Sequence, residues 1–154
     1  MKLLFRQRVF SWFDSYDIYN EAQETVYTVK GRLSLGRCLE IYDQYQQHIG
    51  TVKQQPFTFL PRFSLYLGDT YAGEIQKEFS PFSPSFVLDC NDWRVEGDFW
   101  GWDYQVISER DGEVMRASKE LLSWGDTYEM EIFRPQDALL CLMVVLAIDA
   151  TKSK

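Results

Sequence analysis

Catalytic motifs are largely missing from this 154-residue chain, which contains a single histidine, His48. A Ser-His-Asp hydrolase would have to use that histidine, and no G-x-S-x-G nucleophile elbow occurs. The phosphate-binding motifs G-x-x-x-x-G-K-S/T and G-x-G-x-x-G are absent as well. These absences exclude the common signatures of hydrolases and nucleotide-dependent enzymes and favour a non-enzymatic protein. Paired carboxylates in an acidic chain suit glycosidase chemistry, so an enzyme with an unrecognised site stays open as an alternative.

Metal-site and disulfide patterns are missing too. Cys38, Cys90 and Cys141 form an odd set without a C-x-x-C pair, and one histidine leaves a zinc site few ligands. The calcium-loop pattern D-x-D/N-x-D/N-G does not occur. We therefore expect no metal and no cofactor. The segment Met1–Phe10 carries cations within its apolar run and does not resemble a secretory signal, so we expect reduced thiols and a cytoplasmic location.

Long apolar runs are limited to residues 138–148, where eleven apolar residues follow one another without a polar face. As a helix this run would be about 16 Å long, roughly half of a bilayer core. It is therefore not expected to cross a membrane. A helix that is apolar all round must be wrapped by protein or by lipid. The short length favours a core helix enclosed by the strands, and a membrane anchor is the minor alternative. Pro135 and Asp137 suit the first turn of such a helix.

Positive charge is scarce in the second half of the chain. Residues 1–70 carry eight Lys/Arg and seven Asp/Glu, whereas residues 71–154 carry eight Lys/Arg and sixteen Asp/Glu. General nucleic-acid binding needs clustered cations, so it is not expected. An anionic membrane would attract only the first half.

Alternation of apolar and polar residues dominates the rest of the chain and predicts β-strands. Four segments repeat a hairpin pattern in which alternation, a polar turn and renewed alternation end at a lysine, namely Lys30, Lys53, Lys77 and Lys119. We interpret these lysines as solubilising residues of the sheet surface. Twelve strands are predicted, over residues 2–10, 16–20, 24–30, 38–43, 48–54, 62–67, 71–79, 85–90, 92–99, 102–108, 113–120 and 126–133.

Twelve mostly antiparallel strands and one wholly apolar helix have a simple packing solution. Each strand turns an apolar face inward, and the sheet closes so that its edges are removed. We therefore predict a mainly β fold of one domain over residues 1–154, a closed twelve-stranded antiparallel barrel around the C-terminal hydrophobic α-helix.

Short motifs occur in a fixed order along nearly the whole chain. They are Val29-Lys30-Gly31, Leu39-Glu40-Ile41-Tyr42-Asp43, Ile49-Gly50-Thr51-Val52-Lys53-Gln54, Leu60-Pro61-Arg62-Phe63-Ser64-Leu65-Tyr66, Trp93-Arg94-Val95-Glu96-Gly97-Asp98-Phe99, Asp103-Tyr104, Thr127-Tyr128 and Ala147-Ile148-Asp149. With strands followed by one terminal helix, this order resembles the tubby C-terminal-like superfamily, in detail its LURP-one-related branch. The resemblance implies a barrel around a central helix and no catalytic residue. It also implies, from better-known relatives, phosphoinositide binding by basic residues of the barrel wall or association with lipids.

Lys30, Arg32 and Arg37 are the candidate ligand-binding residues. Lys30 and Arg32 are two positions apart and share a face of a continued strand, and Arg37 follows shortly. Two or three cations on one face can hold a phosphate group, so we predict a non-enzymatic binding module for an anionic lipid head group or a small phosphorylated ligand, peripheral at a membrane when the ligand is a lipid. A solvated face is the alternative interpretation.

Aromatic residues cluster between positions 93 and 104, and the cluster supports a second functional hypothesis. Its members are Trp93, Phe99, Trp100, Trp102 and Tyr104. Exposed aromatic side chains would form a partner-binding or membrane-touching patch, and with the acidic second half they would suit a protein-interaction or scaffold domain. Inward strand positions beside a turn at Gly101 are the alternative, and alternation favours the core or its rim.

Overall fold

The computed structural model describes residues 1–6, 15–32, 34–122 and 125–151. Within these ranges there are twelve strands, a short 3-10 turn at Pro135–Asp137 and one α-helix. The strands are β1 (Lys2–Arg6), β2 (Ser15–Tyr19), β3 (Thr25–Arg32), β4 (Cys38–Tyr42), β5 (His48–Gln54), β6 (Arg62–Leu67), β7 (Thr70–Glu78), β8 (Ser85–Asp89), β9 (Trp93–Asp98), β10 (Asp103–Ser108), β11 (Gly112–Leu122) and β12 (Gly125–Ile132), and the helix is α1 (Ala138–Ala150). The predicted strands are confirmed with shifts of one or two residues at their ends. Residues 7–10 of the first predicted strand lie outside the described ranges.

The strands form one antiparallel sheet in the order β8-β7-β6-β5-β4-β3-β2-β1-β12-β11-β10-β9. Pairing of β1 with β12 brings the two ends of the strand series together, with Leu3 opposite Met130. The barrel is nearly closed rather than fully hydrogen-bonded, because no ladder joins β8 to β9 in the described part of the chain. These two strands are in contact, and the rings of Phe86 and Phe99 close the seam at a centroid distance of 4.9 Å. A short connection through Asn91, which has a φ of 53°, turns the chain there.

Helix α1 lies in the interior of the sheet. Its residues from Leu140 to Ile148 are at most 6 % exposed, which confirms the predicted burial of the apolar run. The helix extends two residues beyond the run, to Ala150, and the Thr151 hydroxyl donates to the Ile148 carbonyl at 2.7 Å. Among the described residues, no helix has both the length and the apolar character needed to cross a membrane.

Two glycines allow close approach inside this packing. A Cβ at Gly50 would lie 3.3 Å from the Met143 sulfur, so its absence lets β5 approach α1 closely. Gly97 has a φ of +134°, and a Cβ there would lie 2.5 Å from the Asp103 carbonyl oxygen. Both positions therefore favour the residue without a side chain.

The strand directions give the barrel two different ends. The turn end contains the tight connections at 20–24, 43–47, 68–69, 90–92 and 109–111, together with residues 133–137 at the start of α1. The loop end contains the connections at 34–37, 55–61, 79–84 and 99–102, two of which are the longest of the described ones. The end of α1 lies at the loop end, since the Arg37 guanidinium donates from Nη1 to the Ala150 carbonyl.

Candidate functional site

Two of the three candidate cations, Lys30 and Arg32, lie on the outer wall formed by β3, β4 and β5. Val29, Ile41 and Val52 are buried, so their strand neighbours point outward. The register places Lys30 opposite Glu40 and Glu40 opposite Thr51. In the next row Arg32 lies opposite Cys38 and Cys38 opposite Lys53, and residues directly opposite in an antiparallel pair share a face. The structure thus places Lys30, Arg32 and Lys53 on one continuous surface, here called the β3–β5 face.

Lys30 and Arg32 are both held by Tyr42. The Lys30 Nζ lies 4.5 Å from the centre of the Tyr42 ring, a cation–π geometry. Arg32 donates from Nη2 to the Tyr42 hydroxyl at 3.1 Å and from Nε to the Glu40 carboxylate. These partners raise the pKa of Arg32, with the Tyr42 hydrogen bond as the largest cause. The guanidinium is half-exposed yet fixed in direction.

His48, the first residue of β5, contacts residues of the same face. Its Nε2 lies 2.8 Å from the Thr51 hydroxyl oxygen and 2.9 Å from the Gly50 carbonyl oxygen. Its Nδ1 lies 3.5 Å from a Glu40 carboxylate oxygen. Glu40 therefore sits between His48 and Arg32 and orients the guanidinium. Sequence reasoning treated His48 only as a lone histidine, because its partners Glu40 and Tyr42 come from another strand.

Arg37 lies apart from the other two candidate cations. Its guanidinium donates to the Ala150 carbonyl, while its backbone carbonyl accepts from the Gln54 N–H at 2.7 Å. Burial lowers the pKa of Arg37, and the nearby Asp149 carboxylate opposes that effect. A cation against the last carbonyls of a helix is favourable to the helix dipole. The structure thus gives Arg37 a place at the end of α1 rather than on the β3–β5 face.

Lys53 is the cation that sequence reasoning did not include in the site. Val29 and Val52 directly precede Lys30 and Lys53, whereas the inward residues Ile75 and Ala117 are two positions before Lys77 and Lys119. Lys77 and Lys119 consequently lie opposite the buried Phe86 and Tyr128 in the sheet. Both lysines therefore occupy positions of the inner face, near the loop end of the barrel. That spacing is a sequence signal that would have separated the four hairpin lysines into two outer and two inner ones.

Asp92, in the connection between β8 and β9, stabilises the neighbouring turn at 109–111 by hydrogen bonds. The Asp92 carboxylate accepts hydrogen bonds from the Ser108 hydroxyl at 2.8 and 2.9 Å and from the Arg110 N–H at 2.9 Å. These bonds, that from Arg110 first, lower the pKa of Asp92. A cleft of about 420 Å³ lies beside it, with Arg134 and Asp137 among its lining residues. No group of three or more His, Cys, Asp or Glu side chains in the described ranges is arranged to hold a metal ion.

The aromatic cluster is divided between the core and the surface. Trp93, Phe99, Trp102 and Tyr104 are at most 6 % exposed, whereas Trp100 is 69 % exposed. Trp102 takes a φ of 54°, which turns its ring into the interior, where it lies 3.9 Å from that of Tyr128 between centroids. The predicted placement in the core or its rim thus holds for four of the five residues. Trp100 is the one that contributes to an outer surface.

Comparison with known proteins places these features in a family. The profile of the LURP-one-related family matches residues 1–149. The chain is 31 % identical over 152 residues to the uncharacterized protein YxjI of Bacillus subtilis (strain 168), an alignment that covers 97 % of this chain and 92 % of that protein. No solved structure matches the chain significantly.

Proposed function

Because the chain belongs to the LURP-one-related family, we propose that it is a non-enzymatic binding module. Its ligand is the phosphate group of an anionic lipid or of a small phosphorylated molecule, and its binding site is the β3–β5 face. The proposal includes a cytoplasmic location and a wider kinship with the tubby C-terminal-like superfamily. The single observation that carries it is the position of Lys30, Arg32 and Lys53 on one outer surface.

Charge on the β3–β5 face favours an anion. Glu40 is the only acidic residue in the three strands, against the cations Lys30, Arg32 and Lys53. The chain as a whole carries a net charge of −7, so the face is a local exception to the sign of the molecule. Clustered cations of this kind attract phosphate through charge-assisted hydrogen bonds.

Arg32 retains the capacity to bind a ligand while it contacts Glu40 and Tyr42. A guanidinium has five N–H donors, and these two contacts engage its Nε and Nη2 nitrogens. The Nη1 donors suit a phosphate oxygen, and Glu40 and Tyr42 reduce the ordering needed when the ligand arrives. Lys30, stacked on the same tyrosine ring, supplies a second charge beside them.

Titration of the protein with inositol trisphosphate, a soluble phosphorylated head-group analogue, tests this function. We expect binding at low salt to weaken at least tenfold in the variant Lys30→Glu/Arg32→Glu, since each hydrogen bond to a charged group contributes about 1.5–3 kcal/mol. The affinity is measured by calorimetry, with NMR shifts of the β3–β5 residues as the readout of location. Added salt weakens the binding of an exposed charged site.

Arg94→Glu/Arg116→Glu is the matched control variant. Both arginines are half-exposed on the opposite wall and contact Glu96 and Glu113, so the control makes the same change of charge elsewhere. Equal affinity of the wild type and the Lys30→Glu/Arg32→Glu variant, or equal losses in both double variants, would contradict the proposed site.

A further inference from the structure

The loop end of the barrel exposes large apolar side chains. The exposed fractions are 95 % for Phe57, Phe59 and Phe82, 78 % for Phe79, 71 % for Leu35 and 69 % for Trp100. We call these six residues the apolar crown. Single exposed apolar residues are ordinary, whereas a concentration at one end of a molecule marks an interaction surface.

Charged residues are nearly absent from the segments that carry the crown. Arg37 is the only Asp, Glu, Lys or Arg in the connections 34–37, 55–61, 79–84 and 99–102. The turn end is different, because its connections contain Glu21, Glu24, Asp43, Asp69, Asp92, Glu109, Asp111 and Asp137. Against these the turn-end segments place only Arg110 and Arg134. The described part of the molecule is therefore polarised along its axis, largely apolar in the crown segments and acidic in the connections of the turn end.

Neighbouring segments of the crown form a shared surface. A shallow cavity of about 250 Å³ lies between the Leu35 segment and the Phe57 segment, with Gly36 and Pro56 among its lining residues. The 55–61 segment is joined to the end of β7 by a hydrogen bond from the Lys77 N–H to the Pro61 carbonyl at 2.9 Å. The Phe86–Phe99 ring contact brings residues 99–102 beside the start of β8, next to the Phe82 segment.

Backbone restraint keeps the crown in its outward position. Pro56, Pro61, Pro81 and Pro84 lie within the two longest crown segments, and proline fixes φ. Phe57 itself has a φ of +62°, an outlier for a bulky residue. Fully exposed rings on stiffened segments lose little entropy when they are buried by a partner.

Cations stand directly behind the crown on the outer wall. Arg32 is the last residue of β3 and Lys53 the penultimate residue of β5. Arg62, which donates to the Gln76 amide oxygen at 2.7 Å, begins β6. Glu74 and Glu78 on β7 make the neighbouring sector mixed in charge. The cations Arg32, Lys53 and Arg62 therefore lie on the outer wall next to the crown segments 34–37 and 55–61. They are continuous with the β3–β5 face.

We propose that the loop end docks on the surface of an anionic lipid bilayer. The crown enters the interfacial zone, and Arg32, Lys53 and Arg62 meet the head groups. Aromatic and apolar side chains with cations just behind them match the order of layers at a membrane surface, and the acidic turn end points away from the negative surface potential. The inference rests on the proposed function for the anion at Lys30 and Arg32, and it adds the bilayer as the source of that anion.

Sedimentation with vesicles tests the docking surface. The vesicles consist of phosphatidylcholine with about one quarter phosphatidylserine, which gives a negative surface potential. We expect the full chain to bind them, and the variants Phe57→Ser/Phe59→Ser and Phe79→Ser/Phe82→Ser to bind at least tenfold more weakly, because two aromatic rings no longer leave water. All four rings are exposed, so the variants should melt like the wild type.

Tyr45→Ser is the control, since Tyr45 is 75 % exposed at the turn end and should not affect vesicle binding. Inositol trisphosphate separates the two proposals, because the crown variants should bind it like the wild type. Vesicle binding that survives in both crown variants, or a wild type that binds inositol trisphosphate but no vesicles, overturns the docking surface. Crown variants that change only self-association overturn it too, and they would assign the crown to a contact between protein chains.

Discussion

At the scale of single residues, two arginines five positions apart have different tasks. Arg32 is half-exposed on the β3–β5 face, where Glu40 and Tyr42 orient it. Arg37 turns inward and donates to the last carbonyl of α1, at Ala150. The strand ends between them, so alternation no longer determines on which side of the sheet the second side chain lies. Identical chemistry therefore gives a ligand-binding candidate at one position and a helix cap at the other.

Arg37→Ala should lower stability without changing ligand affinity. Loss of a charge-assisted hydrogen bond at the helix end should reduce the free energy of unfolding by about 1–2 kcal/mol, measured by urea denaturation. Titration with inositol trisphosphate should give the wild-type affinity. Arg32→Ala is the matched control and should show the reverse pattern. A weakened affinity in Arg37→Ala at unchanged stability would return Arg37 to the ligand site.

At the scale of elements, α1 determines the architecture of the molecule. A helix without a polar face cannot lie on a surface, and burial from Leu140 to Ile148 is nearly complete. Strands whose inward residues pack around it need to leave room at the closest contact, which Gly50 provides opposite Met143. The helix thus forms the centre of the hydrophobic core inside the nearly closed sheet.

Leu142→Asp should prevent folding, because Leu142 is fully buried and a carboxylate placed there would lose its hydration. Leu142→Ala should fold and lose about 2–5 kcal/mol of stability. Circular dichroism and urea denaturation measure both effects. Val87→Asp is the control, since Val87 is 48 % exposed and should tolerate the charge. A cooperative, wild-type-like transition of Leu142→Asp would be incompatible with an enclosed helix.

At the scale of the whole molecule, the interior holds several groups that titrate only at alkaline pH. Burial raises the pKa of the Cys90 thiol to about 11, raises that of Cys141 further and raises that of the Tyr104 phenol well above its ordinary value. The Tyr104 hydroxyl is also buried without a hydrogen-bond partner among the described residues. In the unfolded chain the thiols ionise near pH ~8.5 and the phenol near pH ~10.

Stability should therefore fall as the pH rises. A raised pKa in the folded state gives a contribution that is complete below the unfolded pKa and is lost as the pH rises through the folded pKa. Urea midpoints should thus be constant near neutrality and decline from about pH 8.5 to pH 11 and beyond. Tyr104→Phe should raise the neutral midpoint, since an unpaired buried hydroxyl costs on the order of 1 kcal/mol, and should flatten the decline above about pH 10. A midpoint independent of pH in this range would contradict the burial of these groups.

Local patterns in the amino-acid sequence were sufficient to locate the elements and to predict the general architecture. Period-two alternation is a local property, and it located all twelve strands within one or two residues of their ends in the described ranges. The apolar run at 138–148 required an enclosed helix, because hydrophobic burial depends on side-chain type rather than on the identity of the neighbours. Lys30 and Arg32 could be assigned to one face for the same reason, since both belong to one strand.

Contacts across strands and around the two ends of the barrel depend on the three-dimensional arrangement, which local patterns do not specify. Register places Lys53 in the same cross-strand row as Arg32, with Cys38 between them, and brings His48 to Glu40. Register depends on pairs that are distant in the sequence. The seam between β8 and β9, the inward turn of Arg37 and the separation of Trp100 from Trp102 depend on the local backbone path at chain connections, where periodicity gives no information. The apolar crown arises in the same way. Its four segments, which are far apart in sequence, become one surface only when antiparallel pairing sends them to the same end of the barrel.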